Sequence, residues 1–198
     1  MICMVKAFGY GAGSFELAKT LQDHRCDYVA VAVADEGADL RHAGISIPII
    51  VMNPEFGSFN ALFENQLEPE IYSFRLLEAM IKETDRRGIT SYPIHLKIDT
   101  GMHRLGFQPK DIPAICEYLK LQSGVAVRSV FSHLAGSDSS VFDDFTKQQI
   151  ETFQKAAAEL EKGLEYQVIK HILNSAGIER FPDYQMDMVR LGIGLYGV

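Results

Sequence analysis

Residues 1–21 read MICMVKAFGYGAGSFELAKTL. Four apolar residues, Ile2-Cys3-Met4-Val5, deliver one lysine, Lys6, and then a loop carrying Gly9, Gly11 and Gly13 before helical spacing begins at Ser14. A short apolar run ending at glycines is the mark of a buried strand, so this stretch is a strand–loop–helix unit. A strand-end lysine ordinarily reaches into water. Placed at the mouth of a pocket, the same amine is available for chemistry.

The unit recurs along the chain. Apolar, β-branched runs begin at Ile2, Tyr28, Ile47, Pro69, Pro93, Val125, Tyr166 and Met186. Helix candidates lie between them: SFELAKTLQDH, DEGADLRHAG, SFRLLEAMIKETDRRG, DIPAICEYLKLQ and FTKQQIETFQKAAAELEKG. Near-continuous apolar strands alternating with helices describe a parallel sheet covered by helices. About eight units of roughly 25 residues fit a closed (β/α)8 barrel of the TIM type, with an open doubly wound sheet as the alternative. No Pro/Ser-rich linker divides the chain, so residues 1–198 are expected to form one barrel domain. The first strand starts with no helix ahead of it and the last apolar run ends at Val198, so the domain is expected to be a piece truncated at both ends.

Composition narrows the function. A chain of 198 residues that is 47% apolar can bury a sizeable core. The net charge of -7, with basic residues scattered, argues against a nucleic-acid partner. No apolar run is long enough to cross a bilayer, so no membrane association is expected. Cys3, Cys26 and Cys116 are widely spaced and include no CxxC pair, which favours free thiols in a reducing, cytoplasmic compartment and no metal site.

Parallel barrels bind ligands at the C-terminal ends of their strands. Lys6 closes the first strand. Lys97, Asp99 and Arg104 surround the end of the fifth, His133 follows the sixth, Asn174 and Ser175 end the seventh, and Arg190 leads to Gly192 at the eighth. Singly, each has a plain explanation: Asp99 and Thr100 can shape a turn, and His133 can be a hydrogen-bonded structural histidine. Arg190 and Lys97 are harder to dismiss, because a cation inside an apolar strand requires an anion or acceptors. Glycine turns at GYGAG, NSAG and LGIG can aim backbone N–H groups at a phosphate, with hydroxyls from Tyr10 and Ser175 nearby. The dinucleotide pattern GxGxxG is absent after the first strand. A phosphate site with a strand-end lysine suggests a Schiff base to pyridoxal phosphate, whose ring serves as an electron sink.

The segments MVKAFGYGAGS, HLKIDTGMHRLGF, FSHLAGSD, HILNSAG and MVRLGIGLYG resemble, in order from Val5 to Gly197, the signatures of alanine racemases, the fold-type III pyridoxal-phosphate enzymes. The most specific are KIDTGMHRLG and the Lys6, Tyr10, Gly11 pattern. The resemblance implies interconversion of L- and D-alanine for D-alanine and peptidoglycan synthesis in the cell wall, by a cytoplasmic homodimer. It implies that Lys6, Arg104 and His133 are catalytic. Lys6 holds the cofactor aldehyde and serves as the base on the D-alanine side; Arg104 faces the phenolic oxygen, and His133 lies beside the ring and positions Arg190. Tyr10, Asn174 and Ser175, with the backbone of Gly192 and Ile193, join the cofactor site, and Arg190 faces the pyridine nitrogen. Lys97 matches a position that is carbamylated in many members.

This chain has Phe8 and Gly9 where the family loop often reads Asn-Ala, and Ala12 in place of histidine. Family members continue into a C-terminal β domain that supplies a second, tyrosine base across a head-to-tail dimer. Racemisation by two bases needs an acceptor on each face of the α carbon, so residues 1–198 alone are expected to bind the cofactor and racemise poorly. Two alternatives stand: a single-domain barrel like the small pyridoxal-phosphate homeostasis protein, and a non-catalytic barrel that binds a phosphate ligand. Basic amino-acid decarboxylases share the barrel but place an acid at the pyridine nitrogen, where this chain offers Arg190.

Overall fold

The computed structural model describes residues 1–197; Val198, the end of the last apolar run, lies outside the described residues. The strands are β1 (Ile2–Met4), β2 (Tyr28–Val31), β3 (Ile49–Val51), β4 (Glu68–Ile71), β5 (Tyr92–Lys97), β6 (Val125–Phe131), β7 (Ile169–His171) and β8 (Arg190–Leu191). The helices between them are α1 (Lys6–Tyr10), α2 (Ser14–Asp23), α3 (Ala34–His42), α4 (Phe59–Glu64), α5 (Phe74–Arg87), α6 (Ile112–Lys120), α7 (Asp143–Leu164) and α8 (Ser175–Arg180). The strand order is β7-β6-β5-β4-β3-β2-β1-β8. From β1 to β7 each strand neighbours the next, and β8 lies beside β1. That is the order of a (β/α)8 barrel; a doubly wound sheet would reverse direction from a central strand.

Two compact units make up the chain, one of Met1–Glu70 with the C-terminal residues from Arg190, the other of Ile71–Val189. In the first, Cys3, Val5, Val29, Val31, Ile49 and Val51 face Ala18, Leu21, Ala34, Leu40 and Leu62 of the helices, all buried. Ile2, Met4, Tyr28, Ala30 and Ile50 alternate with them and are buried as well. Strands covered on both faces need apolar residues at every position, which is why these runs read as continuous rather than alternating.

In the second unit, α5 starts at Ser73, whose Oγ accepts the Leu76 N–H at 3.3 Å, and stops at Gly88 in the left-handed region. Its buried stripe is Leu76, Leu77, Met80, Ile81 and Thr84. The long α7 buries Ile150, Phe153, Ala156, Ala157 and Leu160. A register shift between Ile94 and His95 interrupts the β5–β6 ladder and sets His95 opposite Ser129 and Lys97 opposite Phe131. Bulges of this kind re-aim side chains near functional sites.

The strands are shorter than the apolar runs that foretell them. The run from Met186 yields only Arg190–Leu191, because Gly192 ends the strand and residues 193–196 coil into a 3-10 turn. Helix α4, six residues long, is not among the helix candidates, being too short to show a period, whereas α8 begins at Ser175, where LNSAG places a helical start. Lys6–Tyr10, expected as loop, is the closed turn labelled α1, which is not a regular helix because Ala7, Phe8 and Gly9 have non-helical φ and ψ. The three cysteines are free and buried. Among the described residues no helix is long and apolar enough to cross a membrane.

Candidate functional site

In the first unit, Lys6 stands directly after β1 and is half-buried. The four residues after it are all left-handed: Ala7 (φ 52°), Phe8 (53°), Gly9 (60°) and Tyr10 (54°). Each non-glycine residue in that region costs about 1–2 kcal/mol, so the surroundings must hold the turn in place. Hydrogen bonds do so. Gly9 N–H donates to Val5 O at 3.0 Å, Gly11 N–H to Ala7 O at 3.2 Å, and Gly13 N–H to Phe8 O at 3.0 Å. Ala7 N–H donates to Glu36 Oε1 at 2.7 Å.

The segment after β8 packs on the same place. Tyr196 Oη donates to Met4 O at 2.8 Å, and the Tyr196 and Tyr10 rings lie 4.8 Å apart. Burial, then the neighbouring Tyr10, push the Tyr196 phenol up to about 12, and burial also raises Tyr10. Both phenols are therefore protonated donors at neutral pH. Arg190 pairs with Ile2 across the β8–β1 ladder and is only 4% exposed. Burial lowers its pKa to about 10, and the carboxylate of Glu70 works against that shift. The anionic partner that an arginine in an apolar strand requires is thus supplied from β4, whose Glu68 and Glu70 are both buried. Arg190 is a cation at neutral pH.

In the second unit, Lys97 Nζ lies 5.6 Å from the centre of the Phe131 ring, and the His171 ring stacks on Phe131 at 4.9 Å and 5°. Beneath them runs a buried chain: Ser129 Oγ is 2.6 Å from His95 Nδ1 and 3.1 Å from His171 Nε2. Sequence reasoning missed both histidines. His95 carried the signal that singled out Lys97, a polar side chain inside an apolar strand two residues away on the same face. His171 lies inside the run from Tyr166, of which only Asn174, at its end, is singled out by the sequence.

Asp99 builds the loop that follows. Its Oδ1 accepts the N–H groups of Gly101 and His103, each at 3.0 Å, and its Oδ2 meets His103 Nδ1 at 3.2 Å. Burial alone would raise the carboxyl, but these donors and the His103 imidazole outweigh it and hold Asp99 below the usual range. Gly106 closes the loop at φ 132°; a β carbon there would lie 2.6 Å from Asp99 N and 2.9 Å from Ile98 C. We expect Gly106→Ala to cost about 3 kcal/mol or more in urea unfolding, because neither backbone atom can give way. Gly88→Ala is the control: its φ of 66° is also positive, but nothing lies within 4 Å of the added carbon, so about 1 kcal/mol is expected. Arg104 projects from this loop and is exposed.

His133, half-buried, sits in a stretch pinned by Gln149 of α7. The Gln149 amide donates to His133 O at 3.2 Å and accepts the Ala135 N–H at 3.0 Å. Asn174 caps α8: Oδ1 accepts the Gly177 N–H at 2.9 Å and the Ser137 hydroxyl at 2.8 Å. Asn174 Nδ2 reaches Leu134 O at 3.4 Å, which links this cap to the His133 stretch. Ser175, the first residue of α8, follows at once. The first unit thus carries Lys6 and Tyr10 in the turn after β1, and Arg190 and Gly192 on and just after β8, the strand paired with β1. The second gathers His133, Asn174 and Ser175, and sets Lys97 against Phe131 and His171.

Residues 1–198 match the family model described as alanine racemase, N-terminal domain. Among curated relatives, alanine racemase 1 of Oceanobacillus iheyensis is 36% identical over 201 residues, covering 100% of this chain and 53% of that protein. The alanine racemase of Carboxydothermus hydrogenoformans is 39% identical over 197 residues, covering 98% of this chain and 52% of its own length. A solved alanine racemase of Clostridium difficile 630, in complex with cycloserine, superposes with a TM-score of 0.90 at 34% identity, over 98% of this chain and 54% of that one. The chain spans about half the length of the curated relatives it matches.

Proposed function

The chain belongs to the alanine racemase N-terminal domain family, and from that premise we propose that the whole protein interconverts L- and D-alanine with pyridoxal phosphate as cofactor. The observation that carries this reading is the placement of Lys6: a half-buried amine at a strand end, followed by four left-handed residues and joined through the β1–β8 pair to a buried cation. The donor set suits the cofactor's chemistry. An amine suits its aldehyde, and protonated phenols, a serine hydroxyl and glycine N–H groups suit its phosphate. A buried guanidinium suits a ring nitrogen that is to stay unprotonated.

On this reading Lys6 holds the aldehyde, Tyr10, Ser175, Gly192 and Ile193 hold the phosphate, and Arg190 faces the ring nitrogen. Arg104 answers the phenolic oxygen. His133 and Asn174 complete the site, and carbamylation of Lys97 would supply a negative charge for Arg104. When bound, the cofactor supplies an electron sink that stabilises negative charge at the substrate α carbon. Lys6 Nζ takes or returns the α proton on one face. Arg190, as a cation donating to an unprotonated nitrogen, keeps that sink weak, which suits brief proton transfer. The second proton acceptor lies in the part of the whole protein beyond residues 1–198. The protein would work in the cytoplasm as a homodimer, feeding D-alanine to cell-wall synthesis.

The test compares the whole protein with residues 1–198 made as a separate chain, each given L-alanine in deuterated buffer. The whole protein should lose optical rotation as it incorporates deuterium at the α carbon. The separate domain should do so at least about a thousandfold more slowly, since one of its two bases is lost. A whole protein that exchanges no α proton would overturn the reading. A separate domain racemising at the full rate would place both bases within it.

A further inference from the structure

The parallel ladder between β1 and β2 stops abruptly, and what replaces it is a single carboxylate. Val5 N–H still donates to Ala30 O at 2.9 Å. In an extended pair, the next two rungs would run from Ala32 N–H to Val5 O and from Ala7 N–H to Ala32 O. Neither exists. The left-handed turn sends Gly9 N–H to Val5 O, and Ala32 O accepts Asn53 N–H at 2.9 Å. Both displaced donors converge on Glu36: Ala7 N–H reaches Oε1 and Ala32 N–H reaches Oε2, each at 2.7 Å. Glu36 belongs to the first turn of α3 and lies 29 residues from Ala7.

We infer that Glu36 is a positioning residue for Lys6, its carboxylate standing in for two sheet rungs so that the chain can leave β1 left-handed directly after the lysine. Two N–H groups facing one another where a ladder ends would otherwise need water, which would leave φ and ψ around Lys6 free. An ionised carboxylate accepts both at once, and bonds to a charged acceptor are the stronger kind. The direction of the Lys6 side chain follows from the Lys6–Ala7 peptide, and Glu36 holds the N–H of that peptide. This inference rests on the reading of Lys6 as the cofactor lysine.

The experiment uses the whole protein with Glu36→Gln, which matches the carboxylate in shape but offers one acceptor oxygen, and Glu36→Ala, which offers none. Two readouts are taken. Amide hydrogen exchange of cofactor-free protein follows Ala7 and Ala32; borohydride trapping follows the rate at which added pyridoxal phosphate becomes fixed on Lys6. Glu36→Gln should speed exchange at one or both amides by about tenfold or more and slow trapping on Lys6 about tenfold, with exchange in α2 unchanged. Glu36→Ala should exceed it in both. Unchanged exchange in Glu36→Gln overturns the clamp. Faster exchange with trapping at the wild-type rate overturns its positioning role and leaves Glu36 merely structural. If the wild-type protein traps nothing on Lys6, the reading of the lysine has failed, and exchange at Ala7 and Ala32 still decides the clamp on its own.

Discussion

Lys6→Ala should abolish covalent attachment of pyridoxal phosphate and lower racemisation by the whole protein more than about ten-thousandfold, because the substitution removes both the anchoring amine and one of two bases. Stability should hardly move. Lys6 is half-buried and follows the strand rather than packing within it, and substitutions of this kind usually stay within about 1 kcal/mol. The pairing of lost chemistry with kept stability is the informative part. A lysine serving only to solubilise a strand end would show neither the loss of attachment nor the loss of rate. Lys19→Ala is a suitable control, since Lys19 makes an exposed pair with Asp23 at 2.8 Å and its removal should leave both quantities unchanged.

Glu70→Gln should destabilise the protein by about 3–5 kcal/mol, the cost of leaving a buried charge uncompensated. Arg190 is 4% exposed, and burial already lowers its pKa to about 10; the Glu70 carboxylate is what opposes a further fall. The sign with pH follows. A cation whose folded pKa lies below its unfolded value binds fewer protons in the native state between the two values. Native stability from this group therefore rises with pH across that window, and at neutral pH the penalty is present in full. Equilibrium unfolding near pH 7 should show the whole deficit of Glu70→Gln. Adding Arg190→Leu should restore part of it, because the double variant no longer buries a lone charge. If the two changes simply add, the side chains are not coupled and the account of the buried arginine fails.

Much of the fold was legible because strands buried on both faces leave an unmistakable trace: apolar runs at even spacing with helical segments between. All eight runs overlap a strand of the sheet, β4 and β5 each beginning one residue ahead of its run. Their ends were not legible, because hydrophobic residues continue past the last ladder bond into the packed turns, as Leu191 to Leu195 show. The left-handed turn after Lys6 was hidden for a different reason. Ala7, Phe8 and Tyr10 are residues that disfavour positive φ, so no local preference announces it. It exists because Glu36 and Tyr196 hold it from elsewhere in the chain, beside the local Gly9 N–H to Val5 O bond. Arg190 could be singled out because a cation among apolar neighbours conflicts with its surroundings, and that conflict pointed to a partner without naming Glu70. His95, Ser129 and His171 form their chain across three strands, and no spacing along the sequence predicts which polar residues will meet.

The most direct test of the central claim is to incubate the whole protein with pyridoxal phosphate, reduce with borohydride, and map the modified peptide by mass spectrometry. A single label on Lys6 is expected, formed in proportion to cofactor and absent from Lys6→Ala. A label confined to Lys97, to Lys19 or to other surface lysines, or no label at all, would contradict it.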